Sequence, residues 1–124
     1  MKDSVLKSKS KAFALRIINI YNYLCDEKKE YVMSKQLLRS GTSIGANIAE
    51  AFYAQSEADF IAKLYISRKE AGETLYWIEL LNESSYLSDD VAISISNDCD
   101  ELLKLLTSSI KTMKSKQSPH NSSL

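Results

Sequence analysis

Apolar positions recur at helical spacing in four stretches of this chain, and short polar breaks separate them. In the first stretch Phe13, Ile17, Ile20 and Leu24 form one seam, with Ala14, Ile18, Tyr21 and Cys25 as a second beside it. The pattern predicts a helix from about Ser4 to Glu27, with a face wider than a two-stranded coiled coil needs. Residues 26–33 are charged and then mixed, which reads as a connection. Ser34 is the expected N-cap of a second helix ending near Ala54, with Leu37, Gly41, Ile44, Ile48 and Ala51 as its seam.

A very short turn follows. Ser56, with Asp59 three residues on, reads as a capping pair that opens a third helix from Glu57 to Asn82. Phe60, Leu64, Ser67, Ala71, Leu75 and Ile78 make one face of it, and Ile61, Tyr65, Arg68, Gly72 and Trp77 lie near another. Ser88, followed by Asp89 and Asp90, suits the positive start of a fourth helix. Its seam is Ile95, Cys99, Leu102, Leu106, Ile110 and Met113, and Lys111, Lys114 and Lys116 suit its C-terminal end. No stretch alternates with period two. The expectation is an all-α, antiparallel up-down four-helix bundle over residues 1–114, with a polar, disordered tail from 115 to 124.

The second helix carries an unusual feature. Gly41, Gly45 and Ala49 fall at i, i+4 and i+8 and form one smooth stripe. Each interior glycine costs about 1 kcal/mol relative to alanine, so two of them call for a packing reason. Folding the second helix back on the third about Gln55 sets Glu50 near Phe60 and Lys63, Ser43 near Ser67, and Arg39 near Ala71 and Gly72. The glycines are then expected to meet the small residues of the third helix. Thr42 and Ser43 beside Gly41 are candidates for a mid-helix kink.

Length and charge narrow the picture further. With 124 residues the chain is one domain, and its sixteen basic and sixteen acidic groups cancel. They are not evenly spread: residues 1–40 hold nine basic and four acidic groups, and the remainder holds seven and twelve. A basic N-terminal part attracts phosphate, or it steers subunits together head to tail; the neutral total favours the second. If nucleic acid binds, Lys7, Lys9, Lys11, Arg16, Lys28, Lys29, Lys35 and Arg39 are the candidates. The seven tyrosines and Trp77 suit subunit interfaces better than base-stacking platforms.

Catalytic chemistry finds little support. The single histidine, His120, lies in the tail, and Cys25 and Cys99 match no metal spacing. No phosphate-cradling glycine loop occurs, so no cofactor and no metal is expected. Asn47, Glu50, Arg68 and Glu73 are the polar residues nearest the seams. Asn47 is expected to satisfy a neighbouring group and fix register rather than join Glu50 and Lys63 in a ligand site. Arg39 with Glu70 or Glu73 reads as an interhelical ion pair. An enzyme using Glu50, Tyr65 and Arg68 is the least favoured reading. Without a signal peptide or a run of about 20 apolar residues, the expectation is a cytoplasmic protein with reduced thiols and no membrane contact.

The segment Ser43-Ile44-Gly45-Ala46-Asn47-Ile48-Ala49-Glu50-Ala51 resembles the signature of the four-helix-bundle proteins encoded in 23S rRNA intervening sequences. The likeness continues through Gln36–Ser40, Ser56–Phe60, Lys63–Arg68 and Glu73–Leu81. Gly41, Gly45, Asn47, Glu50 and Arg68 are the structural signature. Many members carry proline at the position of Gly45 and glycine at that of Ala51. The resemblance implies a non-enzymatic bundle that assembles into a ring, commonly a pentamer, with RNA or another protein as candidate partner. A related accessory protein of retroelements binds nucleic acid and is strongly basic. This chain is neutral, so that role does not transfer on fold alone.

Overall fold

The computed structural model describes residues 2–117, and side chains from Val5 to Lys116. Four helices follow in order: α1 (Lys2–Asp26), α2 (Met33–Ala51), α3 (Glu57–Glu83) and α4 (Asp89–Gln117). They form an antiparallel bundle in which α2 packs on both α1 and α3, and α4 packs mainly on α3 and more lightly on α1. Phe13, Ile17, Leu24, Leu37, Ile44, Ile48, Leu64, Ile78, Leu81, Ile95, Leu102 and Leu106 fill one continuous core. This is the all-α four-helix architecture that the periodicity predicts.

The helix starts show both the reach and the limits of local reading. Ser56 Oγ accepts a hydrogen bond from the Asp59 backbone N–H at 3.1 Å, and Ser88 Oγ accepts one from Val91 at 3.3 Å, so both expected caps form. Ser34 does not cap α2. It lies inside the helix, fully buried, and donates to the Glu30 carbonyl at 2.8 Å. The cap is the Glu30 carboxylate instead: Oε1 accepts from the Ser34 N–H at 2.7 Å, and Oε2 from Met33 at 3.0 Å and Val32 at 3.1 Å. Burial alone would raise the Glu30 pKa. The three backbone donors and the Ser34 hydroxyl outweigh it and hold the carboxyl below its ordinary range. The chain reaches this arrangement through Lys29, whose φ of 56° turns it back so that the Glu30 N–H meets the Leu24 carbonyl at 3.0 Å.

Three further expectations change. α2 ends at Ala51, before Ala54, because Phe52, Tyr53 and Ala54 close a turn onto the carbonyls of Ala49, Glu50 and Ala51. α4 runs on through residues 115–117, where the tail was expected to begin; the rest of that tail, with Pro119 and His120, lies outside the described residues. α2 is one unbroken helix from Met33 to Ala51. The hydroxyls of Thr42 and Ser43 donate to the carbonyls of Leu38 and Arg39, at 2.7 and 2.6 Å, and so are satisfied within the helix.

The glycines do not meet α3. They meet α1. A methyl group at Gly41 would stand 2.8 Å from Ile17 Cγ1 and 2.9 Å from Cγ2, and one at Gly45 would stand 3.3 Å from Ser10 Oγ. The stripe lies on the α1 side because α2 turns its hydroxyls, not its glycines, toward α3. There Thr74 Oγ1 donates to Ser40 Oγ at 2.9 Å, and Ser67 Oγ donates to the Ile44 carbonyl at 2.8 Å. Thr74 and Ser67 are fully buried, and each is satisfied by these bonds.

Candidate functional site

Of the signature residues, Glu50 joins Arg39 in a clamp between α2 and α3. Glu50 accepts from Lys63 Nζ at 2.9 Å, which raises the Lys63 pKa. Arg39 Nη1 lies 3.2 Å from Glu70 Oε1, and Arg39 Nη2 donates to Glu73 Oε2. The same Glu73 oxygen accepts from Trp77 Nε1 at 2.9 Å. The hydrogen bond from Arg39, then that from Trp77, lowers the Glu73 pKa; the bond to Glu73 raises that of Arg39. Asn47 takes no part in the Glu50–Lys63 pair. Its Nδ2 donates to the Ser43 carbonyl one turn back, at 2.9 Å. The register of α2 on α3 is therefore the one inferred by folding the helices about Gln55.

The eight basic candidates do not gather on one surface. Lys9 pairs with Glu101 at 3.1 Å, and Arg16 pairs with Asp98 at 2.6 Å while also donating to Ser94 Oγ at 3.1 Å. Arg39 is taken by Glu70 and Glu73. Lys7 Nζ lies 4.8 Å from the centre of the Phe52 ring. Lys7 and Lys11 border a small apolar trench floored by Ala14, Gly45, Ala46 and Ala49. Lys28, Lys29 and Lys35 belong to the other end of α1 and the start of α2. The distance along α1 from Lys7 to that end is roughly 28 Å at 1.5 Å per residue. Three of the eight candidates are thus matched inside the molecule by carboxylates of α3 and α4.

The Glu50, Tyr65 and Arg68 combination is not assembled either. Glu50 faces Lys63, whereas Tyr65 and Arg68 face α4. Cys99 is fully buried among the core side chains, and its thiol donates to the Ala71 carbonyl at 3.4 Å. Burial, reinforced by Asp100 and Asp98, pushes the Cys99 pKa up to about 12, so it is no nucleophile at neutral pH. Among the described residues no group of His, Cys, Asp and Glu could hold a metal ion, and every buried side-chain polar atom has a hydrogen-bond partner.

A different basic surface emerges between α3 and α4. Tyr65, Arg68, Thr107, Ile110, Lys111, Lys114 and Ser115 line an open groove of about 630 Å³, which continues past Thr107 and Lys111 to Lys104. No carboxylate lines it. The Arg68 guanidinium lies 4.9 Å from the centre of the Tyr65 ring, and its Nη1 is 3.5 Å from Thr107 Oγ1. Lys114 Nζ donates to Tyr65 Oη at 3.2 Å. Composition by chain halves hides this cluster, because it sits in the acidic part of the chain. The one local signal was the seven-residue spacing of Lys104 and Lys111, which puts both on one face of α4.

Residues 2–108 match the sequence model of the family described as 23S rRNA-intervening sequence protein. A solved crystal structure from Bacteroides thetaiotaomicron, of a protein with unknown function from the S23 ribosomal protein family, is 60% identical. The likeness covers 90% of this chain and 99% of that one, with a TM-score of 0.89. No curated protein matches.

Proposed function

The chain belongs to the 23S rRNA-intervening sequence protein family, and from that premise we propose that it is a non-enzymatic scaffold which acts as a homo-oligomer in the cytoplasm. The observation that carries the reading is apolar surface left unburied on elements that already have a full core. Leu15, at 55% exposure, and Ile18 form a stripe on the outer side of α1, while Ile93, at 60%, and Tyr76 form another on α4 and α3. Side chains of this size placed side by side on a small domain mark an association surface. Both cysteines are free thiols, which fits a reducing compartment. No helix among the described residues is long and apolar enough to cross a membrane.

A heterologous contact, stripe against stripe, closes into a ring, and five copies is the size that the family likeness favours. Sedimentation velocity at micromolar concentration tests this. The expected species has a mass of several times 14.0 kDa, and Leu15→Arg with Ile18→Arg shifts it to the monomer with helicity unchanged. A wild-type monomer would refute the proposal. The alternative, nucleic-acid binding through the N-terminal surface, must work with Lys7, Lys11, Lys28, Lys29 and Lys35 alone, since Lys9, Arg16 and Arg39 hold carboxylates.

A further inference from the structure

We propose that the groove between α3 and α4 binds the phosphodiester backbone of single-stranded nucleic acid, with Arg68, Lys104, Lys111 and Lys114 as the contacts. Two features set these residues apart from the other cations of the chain. First, the carboxylates of α3 and α4 that lie along this part of the bundle are turned elsewhere. Glu70 and Glu73 go to Arg39 on α2, Asp98 and Glu101 go to Arg16 and Lys9 on α1, and Asp100, one turn before Lys104, lines a separate pocket with Glu79 and Glu83. The ion pairs that fasten the outer helices thereby strip the groove of negative charge. Arg68, Lys104 and Lys111 enter no ion pair among the described residues.

Second, the helix dipole does not account for Arg68, Lys104 and Lys111. Its effect is confined to the last turn. Lys104 and Lys111 precede the end of α4 at Gln117 by thirteen and six residues, and Arg68 lies in the middle of α3. A lysine placed for the dipole alone belongs at 114 or 116.

The shape selects the ligand. Neighbouring helix axes sit about 8–10 Å apart, so the groove between them follows one extended backbone. A duplex, whose major groove alone is about 12 Å wide, lies across it rather than in it. Along α4, Lys104 to Lys114 spans roughly 15 Å, a length over which a strand presents several phosphates. The Tyr65 ring is already engaged by Arg68 and Lys114, at 4.9 and 5.7 Å from its centre. It positions the cations rather than stacking on a base, so binding is independent of sequence. Arg68, held over the ring and against Thr107, presents the remaining N–H donors of its guanidinium to a phosphate with little loss of side-chain freedom.

The test is fluorescence anisotropy of a labelled oligouridylate of about twelve nucleotides, titrated with the full chain over a range of salt. Four neutralised phosphates on a single strand give a log–log salt slope of about −2.8, so a fourfold rise in salt weakens binding about fiftyfold. Lys104→Gln with Lys111→Gln halves that slope and reduces the loss to about sevenfold. Both lysines are exposed, so the variant is expected to fold, and circular dichroism checks it. Lys7→Gln with Lys11→Gln leaves the slope unchanged. Any of three results overturns the proposal: no binding at low salt, a slope that falls with the Lys7 and Lys11 pair instead, or displacement of the strand by polyglutamate as readily as by unlabelled oligouridylate. The last would assign the groove to an acidic protein.

Discussion

The three glycines allow one substitution to be made in three surroundings. Replacing glycine by alanine inside a helix gains about 1 kcal/mol from propensity, wherever it is done. At Gly72 nothing lies within 4 Å of the new methyl group, so the full gain should appear. For a chain of this size that is a rise in Tm of about 4 °C. At Gly41 the methyl group would come within 2.8 Å of Ile17 Cγ1 and 2.9 Å of Cγ2. Both atoms belong to a β-branched side chain that is fully buried, so it has no flexible end to swing away. Overpacking of this kind costs about 1–3 kcal/mol. The net effect of Gly41→Ala is therefore a loss of about 1 kcal/mol, a fall in Tm where Gly72→Ala gives a rise. Gly45→Ala, facing Ser10 at 3.3–3.4 Å, falls between them.

Thermal melts at one fixed protein concentration read all three. A double-mutant cycle with Ile17→Ala isolates the cause. That change alone costs about 2–5 kcal/mol, but it removes every atom that the new methyl group would strike. In that background Gly41→Ala should stabilise by about 1 kcal/mol, a coupling of about 2 kcal/mol. If Gly41→Ala stabilises the wild-type chain as Gly72→Ala does, or if its penalty persists without the Ile17 side chain, close approach of α1 is not the reason for the glycine.

Other consequences are simpler to state. Glu30→Gln removes the charge that caps α2 and should cost about 1–2 kcal/mol at neutral pH, read by denaturant melts. Because the Glu30 carboxyl is held below its ordinary range, its contribution is complete above that range and fades as pH falls through the lowered value. The wild-type and Glu30→Gln stabilities should therefore converge in acid, and a gap that persists there would rule the capping charge out. Arg39→Gln should lower stability by no more than about 1 kcal/mol, since the pair is half exposed. It should also change the emission of Trp77, whose N–H shares the Glu73 oxygen; unchanged emission would mean that this pair does not order the ring. In native protein a thiol reagent should modify Cys25 and spare Cys99 until the chain is unfolded; two fast thiols would contradict the burial.

What the sequence made legible follows from what periodicity measures. The spacing of Ile95, Cys99, Leu102, Leu106 and Ile110 says that one side of a helix is apolar, and all five are buried. Loop length then makes successive helices neighbours, so the pairing of Glu50 with Lys63 and of Arg39 with Glu70 could be worked out by folding α2 on α3. Periodicity carries no information about which of two flanking helices a given side of α2 will meet. Gly41 and Gly45 lie about one residue's rotation from Ser40 and Ile44, yet the first pair faces α1 and the second faces α3. The capping of α2 was missed for a related reason. Glu30 acts across four residues through a backbone turn at Lys29, and a residue with positive φ that is not glycine leaves no mark in composition.

Charge failed to localise a site for the opposite reason: it was counted along the chain, while the bundle sorts it across helices. Three basic groups of the N-terminal part, Lys9, Arg16 and Arg39, meet acids of α3 and α4 and fasten those helices. Each such pair leaves the carboxylate-rich helix with fewer acids to offset its own lysines. The surface that stays positive is therefore not where the sequence is most basic. It lies on the far side of the helices that supplied the acids, where Arg68, Lys104 and Lys111 line a groove that no carboxylate lines. If that logic holds, neutralising the acid of one fastening pair should not reach the groove. Glu101→Gln frees Lys9 on the α1 side and should leave the salt slope of the α3/α4 groove unaltered, because the acid it removes was never in the groove.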